Sequence, residues 1–218
     1  MGIKAVIFDW GGTLTPWHDV DLVELWGNYA KVYAPERADE LAAQLHHAEQ
    51  SRWSHQFNTS GEVGTGVLND IFLELGIDPT TEEHHVALAS YLAGWDPHTY
   101  TDSDAIGLLS NLRDQWIKLA VLSNTMWPRT HHEHVLRRDG ILDFFDYTLF
   151  TSETPTGKPH STVFAQVLYA LDVDAQDAAF VGDRIFDDIH GAQQVGMRGI
   201  WIPHSTIPAS QSTDLNIE

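Results

Sequence analysis

Lys4-Ala5-Val6-Ile7-Phe8-Asp9-Trp10-Gly11-Gly12-Thr13-Leu14 is an apolar run that ends on a carboxylate and continues into two glycines and a threonine. An apolar strand that stops at a charged side chain sets that side chain at the strand's carboxyl end, where open α/β sheets bind ligands. Asp9 is thereby presented as a nucleophile. The Gly11-Gly12 pair permits a sharp turn and the close approach of backbone N–H groups to an anion. The same residues also suit a plainer role, an aspartate capping a turn after a buried strand. The rest of the chain decides between the two.

A second apolar run, Leu119-Ala120-Val121-Leu122, ends in Ser123-Asn124-Thr125, which offers hydroxyl and amide groups at another strand end. A lysine follows in Thr156-Gly157-Lys158-Pro159, ahead of an amphipathic helix carrying Val163, Phe164, Val167, Leu168 and Leu171. A third run, Ala178-Ala179-Phe180-Val181, leads into Gly182-Asp183-Arg184, with Asp187 and Asp188 starting a further helix. Carboxylate, hydroxyl, ammonium and acidic cluster thus succeed one another at strand ends and loops. Any one of them is common; the ordered set is specific.

These segments, FDWGGTL, LSNT, GKP and VGDRIFDDIHGA, followed by Gly196-Met197, resemble the signature motifs of the haloacid dehalogenase-like hydrolase superfamily. The resemblance covers roughly residues 3 to 15 and 98 to 202. It implies that Asp9 is the nucleophile and that Ser123 and Lys158 bind the transferred group. It also implies that Asp183 binds a divalent cation, magnesium, with Asp188 a ligand or the partner of one. Gly12, Thr13 and Asn124 take supporting, substrate-facing positions. Phosphoryl transfer asks for positioning and charge neutralisation, so an in-line carboxylate, a magnesium ion and a lysine suffice for its first half. By that resemblance Asp9 would attack phosphorus to form an aspartyl-phosphate, which water would then hydrolyse.

One position departs from the pattern. Phosphatases of this superfamily carry a second aspartate two residues after the nucleophile, as proton donor and later base; here it is Gly11. Glycine cannot move protons, a function that contributes about 10²–10⁴-fold in rate, but its carbonyl can still ligate the metal. Three branches of the superfamily accommodate the change. Dehalogenases need no acid but also need no acidic metal cluster. Phosphonoacetaldehyde hydrolases have a small residue there and cleave a carbon–phosphorus bond with a cap lysine, whereas Lys31, the only lysine between residues 16 and 97, falls too early for their spacing. The third is a phosphatase with another proton donor, or with leaving groups that need none. A catalytically inactive member that binds phosphate ligands is a fourth reading.

The 13 histidines supply candidate donors, because histidine titrates near neutrality: His18 beside the nucleophile loop foremost, then His55, His131, His132 and His134. Residues 16–97 are too long for a connection and carry helical periodicity of their own, in Leu22, Leu25, Trp26 and Tyr29, then Leu41, Leu45 and Ala48, then Val67, Ile71, Phe72 and Leu75, then Val86, Leu88, Tyr91 and Leu92. Turn signals divide them into four or five helices. They resemble the helical cap inserted after the first motif in many relatives, where water is excluded and substrate chosen. Within it Gln50-Ser51-Arg52-Trp53-Ser54-His55-Gln56 is the candidate specificity segment, with Arg52 and His18 as substrate-binding residues and Trp17 and Trp53 either packing the cap or lining its pocket.

Strands near 3–9, 118–123, 147–150, 178–182 and 198–202 alternate with helices near 102–116, 128–138, 160–171 and 187–196. This predicts an α/β fold, a Rossmann-like doubly wound parallel sheet with an inserted α-helical cap. The expected division is a core of 1–15 and 98–218 and a cap of 16–97. In 218 residues, 12 basic against 31 acidic side chains leave a net charge of −19, which opposes nucleic acid and anionic membranes as partners. The expected partner is a small phosphorylated substrate, and the expected state a monomer or homodimer. No cysteine is present, so disulfides and thiol catalysis are excluded. The amino terminus shows no secretory pattern, and the expected location is cytoplasmic. The tail from His204 reads as a loose terminus or short edge element.

Overall fold

Five parallel strands form one sheet in the order β3-β2-β1-β4-β5, with β1 (Ala5–Phe8) at the centre. β2 (Lys118–Ser123) and β3 (Tyr147–Phe150) lie on one side, β4 (Ala178–Gly182) and β5 (Arg198–Trp201) on the other. The chain order reverses between β1 and β4, which opens a crevice at the carboxyl ends of those strands. The computed structural model describes residues 2–203; the tail reading from His204 onward falls outside the described residues.

The strands alternate between two cores, as a period of two dictates. Ala5, Ile7, Ala120, Leu122 and Phe180 pack against α7 (Ser161–Leu171) through Val163, Phe164, Val167 and Leu171. Val6, Phe8, Leu119, Val121 and Val181 face the other way, into a cluster that includes α5 (Ala105–Asp114), α6 (Arg129–Arg138) and helices from the segment between β1 and β2.

That segment holds α1 (Leu22–Tyr33), α2 (Ala38–Asn58), α3 (Leu68–Glu74) and α4 (Glu82–Trp95), matching the predicted helix count. Asp21 caps α1 by accepting from the N–H groups of Val23 and Glu24, and Thr81 caps α4 through His84 N–H. Their apolar faces meet in an aromatic core, where Trp26 stacks on Tyr91 at 4.1 Å and Tyr29 on Phe72 at 4.9 Å. The loop after α2 docks on the sheet domain through backbone bonds, Gly64 N–H to Pro155 O, Leu68 N–H to Met126 O and Gly157 N–H to Gly61 O. Among the described residues no helix is long and apolar enough to cross a membrane.

One predicted element differs. The span 187–196 is a π-helical turn, Ile185–His190, followed by the short α8 (Gly191–Gln194). The wider turn lets the Asp188 carboxylate reach back to the start of its own segment, where Arg184 N–H donates to Oδ2 at 2.9 Å.

Candidate active site

Phe8 sits opposite Val121 of β2 and Val181 of β4, and Asp9 N–H donates to Val181 O at 2.9 Å. Asp9, Ser123 and Asp183 therefore leave the sheet at one edge, and Lys158 reaches them from the loop before α7. Lys158 Nζ donates to Asp9 Oδ1 at 2.7 Å and to Asp188 Oδ1 at 2.6 Å. Asp9, Asp183 and Asp188 each offer a carboxylate oxygen, all within 4.8 Å of one another. All of these groups are buried, Lys158 at 2% and Asp188 at 0% exposure.

Local sequence makes this crowding feasible. A Cβ on Gly182 would lie 2.3 Å from Asp188 Oδ2, so only glycine leaves room for that carboxylate. Asn124 holds the lysine loop from both sides, with Nδ2 donating to Lys158 O at 3.0 Å and Oδ1 accepting from Lys158 N–H at 2.8 Å. Gly12 has φ +78°, which suits glycine in the turn after Asp9. Gly11 differs from it. Its φ lies outside the left-handed region and nothing stands within 4 Å of where its Cβ would be.

The electrostatics follow from the crowding. Burial pushes the Asp183 carboxyl up to about 8, with Asp9 and Asp188 adding to the rise. Burial pushes Asp188 up to about 6, against the pull of Lys158. Burial alone would discharge Lys158, but Asp188 and Asp9 outweigh it and hold the ammonium charged. The Lys158 ammonium bonds two of the three carboxylates and Arg184 acts on them from farther off, whereas a divalent cation could be shared by all three, and the all-oxygen donor set suits a hard one.

Asp9 and Lys158 lie at the floor of a cavity of about 710 Å³ lined also by Gly11, Gly12, Ser123, Asn124 and His18. Of the residues expected at the site, Asp9, Gly11, Gly12, Ser123, Asn124, Lys158 and His18 line this cavity, and Asp183 and Asp188 cluster with Asp9 at its base. Two are not brought there. Arg52 turns to the outer side of α2, where it pairs with Glu74 and donates to Thr65 O at 3.0 Å. Thr13 lies outside the cavity lining; in its place Thr15 lines the cavity, accepting from Gly12 N–H at 3.2 Å.

The histidines sort by position. His18 shares its Nδ1 with His98 Nδ1 at 2.9 Å on the exposed rim, and both line the cavity. His132 lines it from the core side, but burial drives its pKa down to about 3, so it is neutral and bound to Thr125 Oγ1 at 2.9 Å. His55, His131 and His134 do not line the cavity.

Beside Thr15 and His98, lining groups that escaped the sequence reading include Glu49, Gln56 as an individual residue, and the Trp95–Trp127 pair. Glu49 is buried on α2, accepts from Trp26 Nε1 at 2.7 Å, and has its pKa raised by burial, which hydrogen bonds from Trp26 and Trp53 oppose. Its signal was available: Leu41, Leu45, Glu49 and Trp53 recur every four residues, so the acid continues an apolar stripe. Gln56 reaches across to donate to Lys158 O at 3.3 Å.

The family of haloacid dehalogenase-like hydrolases matches residues 3–196. A glyceraldehyde 3-phosphate phosphatase from Pyrococcus abyssi is 36% identical over 97 residues, which are 44% of this chain and 40% of that relative's length. The chain thus aligns with under half of that enzyme. A ribulose-1,5-bisphosphate 5-phosphatase from Halopiger xanaduensis is 29% identical over 221 residues, covering 96% of this chain and 89% of the relative. Among solved structures, a HAD phosphatase from Thermococcus onnurineus superposes with a TM-score of 0.69 at 24% identity, over 97% of this chain and 92% of that one, a likeness of fold. With its motif residues gathered at one sheet edge and the family match running through all of them, the chain belongs to the haloacid dehalogenase-like hydrolases.

Proposed function

We propose that the protein is a magnesium-dependent phosphatase of a small phosphorylated compound, working through an aspartyl-phosphate on Asp9. The observation that carries this reading is the gathering of Asp9, Asp183 and Asp188 within 4.8 Å, with Lys158 bonded to two of them. Asp9, Asp183 and Asp188, with the Gly11 carbonyl, would hold the cation, which lets a phosphate dianion approach a carboxylate that would otherwise repel it. Lys158 and Ser123 receive the phosphate oxygens, and Asn124 acts by fixing the lysine loop. Asp9 attacks phosphorus, the ester oxygen departs, and a water then displaces phosphate from Asp9. The segment 16–97 serves as a cap over this floor, with residues 1–15 and 98–218 as the catalytic unit.

Dehalogenation has no use for the three-carboxylate cluster. Carbon–phosphorus cleavage would need a lysine in the cap, and Lys31 is exposed on α1 and does not line the cavity. Phosphate release from a panel of phosphorylated compounds, with and without magnesium, tests the proposal against Asp9→Asn. Release that requires both magnesium and Asp9 is expected. Equal inactivity of wild type and variant on the whole panel, with phosphate ligands still bound, would sink the enzyme reading.

A further inference from the structure

Resting on the phosphatase reading, we propose that the leaving group is a planar aromatic alcohol without a second anionic group, expelled as a phenolate that is not protonated as it leaves. Three independent features of the cavity converge on this class.

The first is the missing acid. Gly11 stands where its backbone would tolerate a side chain and where nothing within 4 Å would obstruct one, so packing does not explain the glycine. The other titratable groups of the described lining are engaged elsewhere: Asp19 accepts from Trp17 Nε1 at 3.3 Å on the exposed rim, and Asp187 pairs with Arg184. Lys158 is engaged by two carboxylates, His132 is neutral and bonded to Thr125, and Glu49 accepts from Trp26 on the cap. His18 and His98 are paired with each other at the rim. A site without a general acid favours leaving groups that are stable as anions. Phenols ionise near pKa ~10, whereas alkyl alcohols lie closer to water at ~16.

The second is the wall. Five of the eight tryptophans, Trp10, Trp17, Trp53, Trp95 and Trp127, line this one cavity. Trp95 and Trp10 both meet Trp127 edge to face, with centroids 5.2 and 6.1 Å apart. Such walls offer ring faces and edges to a planar aromatic guest.

The third is charge. Of the 12 lysines and arginines only Lys158 and Arg184 line the cavity, both from the floor. On the cap side the described lining carries Asp19 and Glu49, while Arg52 is turned away and paired with Glu74. A second phosphate or a carboxylate on the substrate would find no lysine or arginine there.

In the first step the bond from Asp9 Oδ to phosphorus forms and the phosphorus–aryl oxygen bond breaks, its electron pair leaving on the phenolate. In the second, water attacks phosphorus, Asp9 is released as carboxylate, and the water's protons pass to phosphate and solvent.

The test is kcat/KM with magnesium for p-nitrophenyl, phenyl and propyl phosphate, 1,3-propanediol bisphosphate and acetyl phosphate, in wild type, Gly11→Asp, Trp53→Ala and Asp9→Asn. Phenyl phosphate is expected to exceed propyl phosphate by at least about 100-fold, the scale of one missing acid. Gly11→Asp should narrow that ratio by raising the propyl ester. Trp53→Ala should lower phenyl phosphate about tenfold relative to acetyl phosphate, a good leaving group with no ring, and this arm does not depend on how Gly11→Asp folds. Propyl phosphate within threefold of phenyl phosphate in wild type, or the bisphosphate turned over faster than phenyl phosphate, would overturn the inference while leaving the phosphatase reading intact. Absence of Asp9-dependent release from every compound would overturn both.

Discussion

The floor of the cavity and its walls are built differently. The floor comes from strand ends and adjoining loops whose spacing the sheet imposes: Phe8 stands level with Val121 and Val181, so Asp9, Ser123 and Asp183 emerge together. Its side chains are charged, buried and held by one another, with Lys158 tied to Asp9 and Asp188 at 2.7 and 2.6 Å. The walls above it come from α2, through Glu49, Trp53, Gln56 and Phe57, and from the loop before α1, through Trp17, His18 and Asp19. On the proposed reading, the difference teaches that chemistry is concentrated in a buried electrostatic cluster, while selection is left to shape and ring contacts of the walls. Variants of the floor should therefore alter rate, metal binding and stability together. Variants of the wall should alter substrate preference or local packing and leave metal binding unchanged.

The largest expected effect follows removal of the cation that balances the floor. Lys158→Ala leaves Asp9 and Asp188 buried without their partner and should cost about 3–5 kcal/mol of stability, together with near-complete loss of turnover. Denaturant unfolding and kcat/KM measured on the same preparation check this; an unchanged midpoint would show that the cluster is not held as described.

Next comes the pH dependence of metal binding. Asp183 at about 8 and Asp188 at about 6 both lie above the ordinary carboxylate range in the cation-free protein, and a ligand must lose its proton to bind. Magnesium affinity should rise with pH between about 6 and 8, by up to about tenfold per unit for each proton displaced. The folded cation-free protein holds protons that the unfolded chain has released, so these two groups make it lose stability as pH rises from about 4 to about 8, and saturating magnesium should reverse that trend. Calorimetric titrations at pH 6, 7 and 8 with parallel melting curves read both signs. A pH-independent affinity would contradict the crowding.

A smaller effect belongs to the wall. Glu49→Ala strands the buried Trp26 Nε1–H and should cost about 1–3 kcal/mol, whereas Glu49→Gln keeps an acceptor and should stay close to wild type. Neither should change magnesium affinity, and a metal defect in either would erase the distinction between wall and floor. Smallest of all is Arg52→Ala. Its contacts to Glu74 and Thr65 are partly exposed and on the outer side of α2, so less than about 1 kcal/mol and less than a twofold change in kcat/KM are expected.

The same contrast explains what the sequence disclosed. Strand positions were legible because runs of four apolar residues leading to Asp9, Ser123 and Gly182 leave little freedom of register, and the residues that follow them carry distinctive chemistry. Helix existence in the insert was legible from periodicity. Which part of the α2 stripe meets the cavity was not, because Leu41 and Leu45 of the same stripe are buried in the helical core while Glu49 and Trp53 line the cavity. The segment 50–56 was the right neighbourhood, yet Trp53 and Gln56 turn inward and Arg52 outward. Thr15 rather than Thr13 enters the cavity because the positive φ of Gly12 redirects the turn. The π-helical turn at 185–190 was hidden because it answers to a single bond from Arg184 N–H to Asp188, which periodicity does not register.

The central claim is that Asp9 carries the phosphoryl group. Wild-type protein mixed with magnesium and phenyl phosphate, quenched in acid during turnover and digested, should yield a phosphorylated peptide with the modification on Asp9, absent from Asp9→Asn and from a sample without magnesium. Phosphate release at full rate with no phosphoryl adduct on Asp9 at any quench time, and undiminished in Asp9→Asn, would contradict the account.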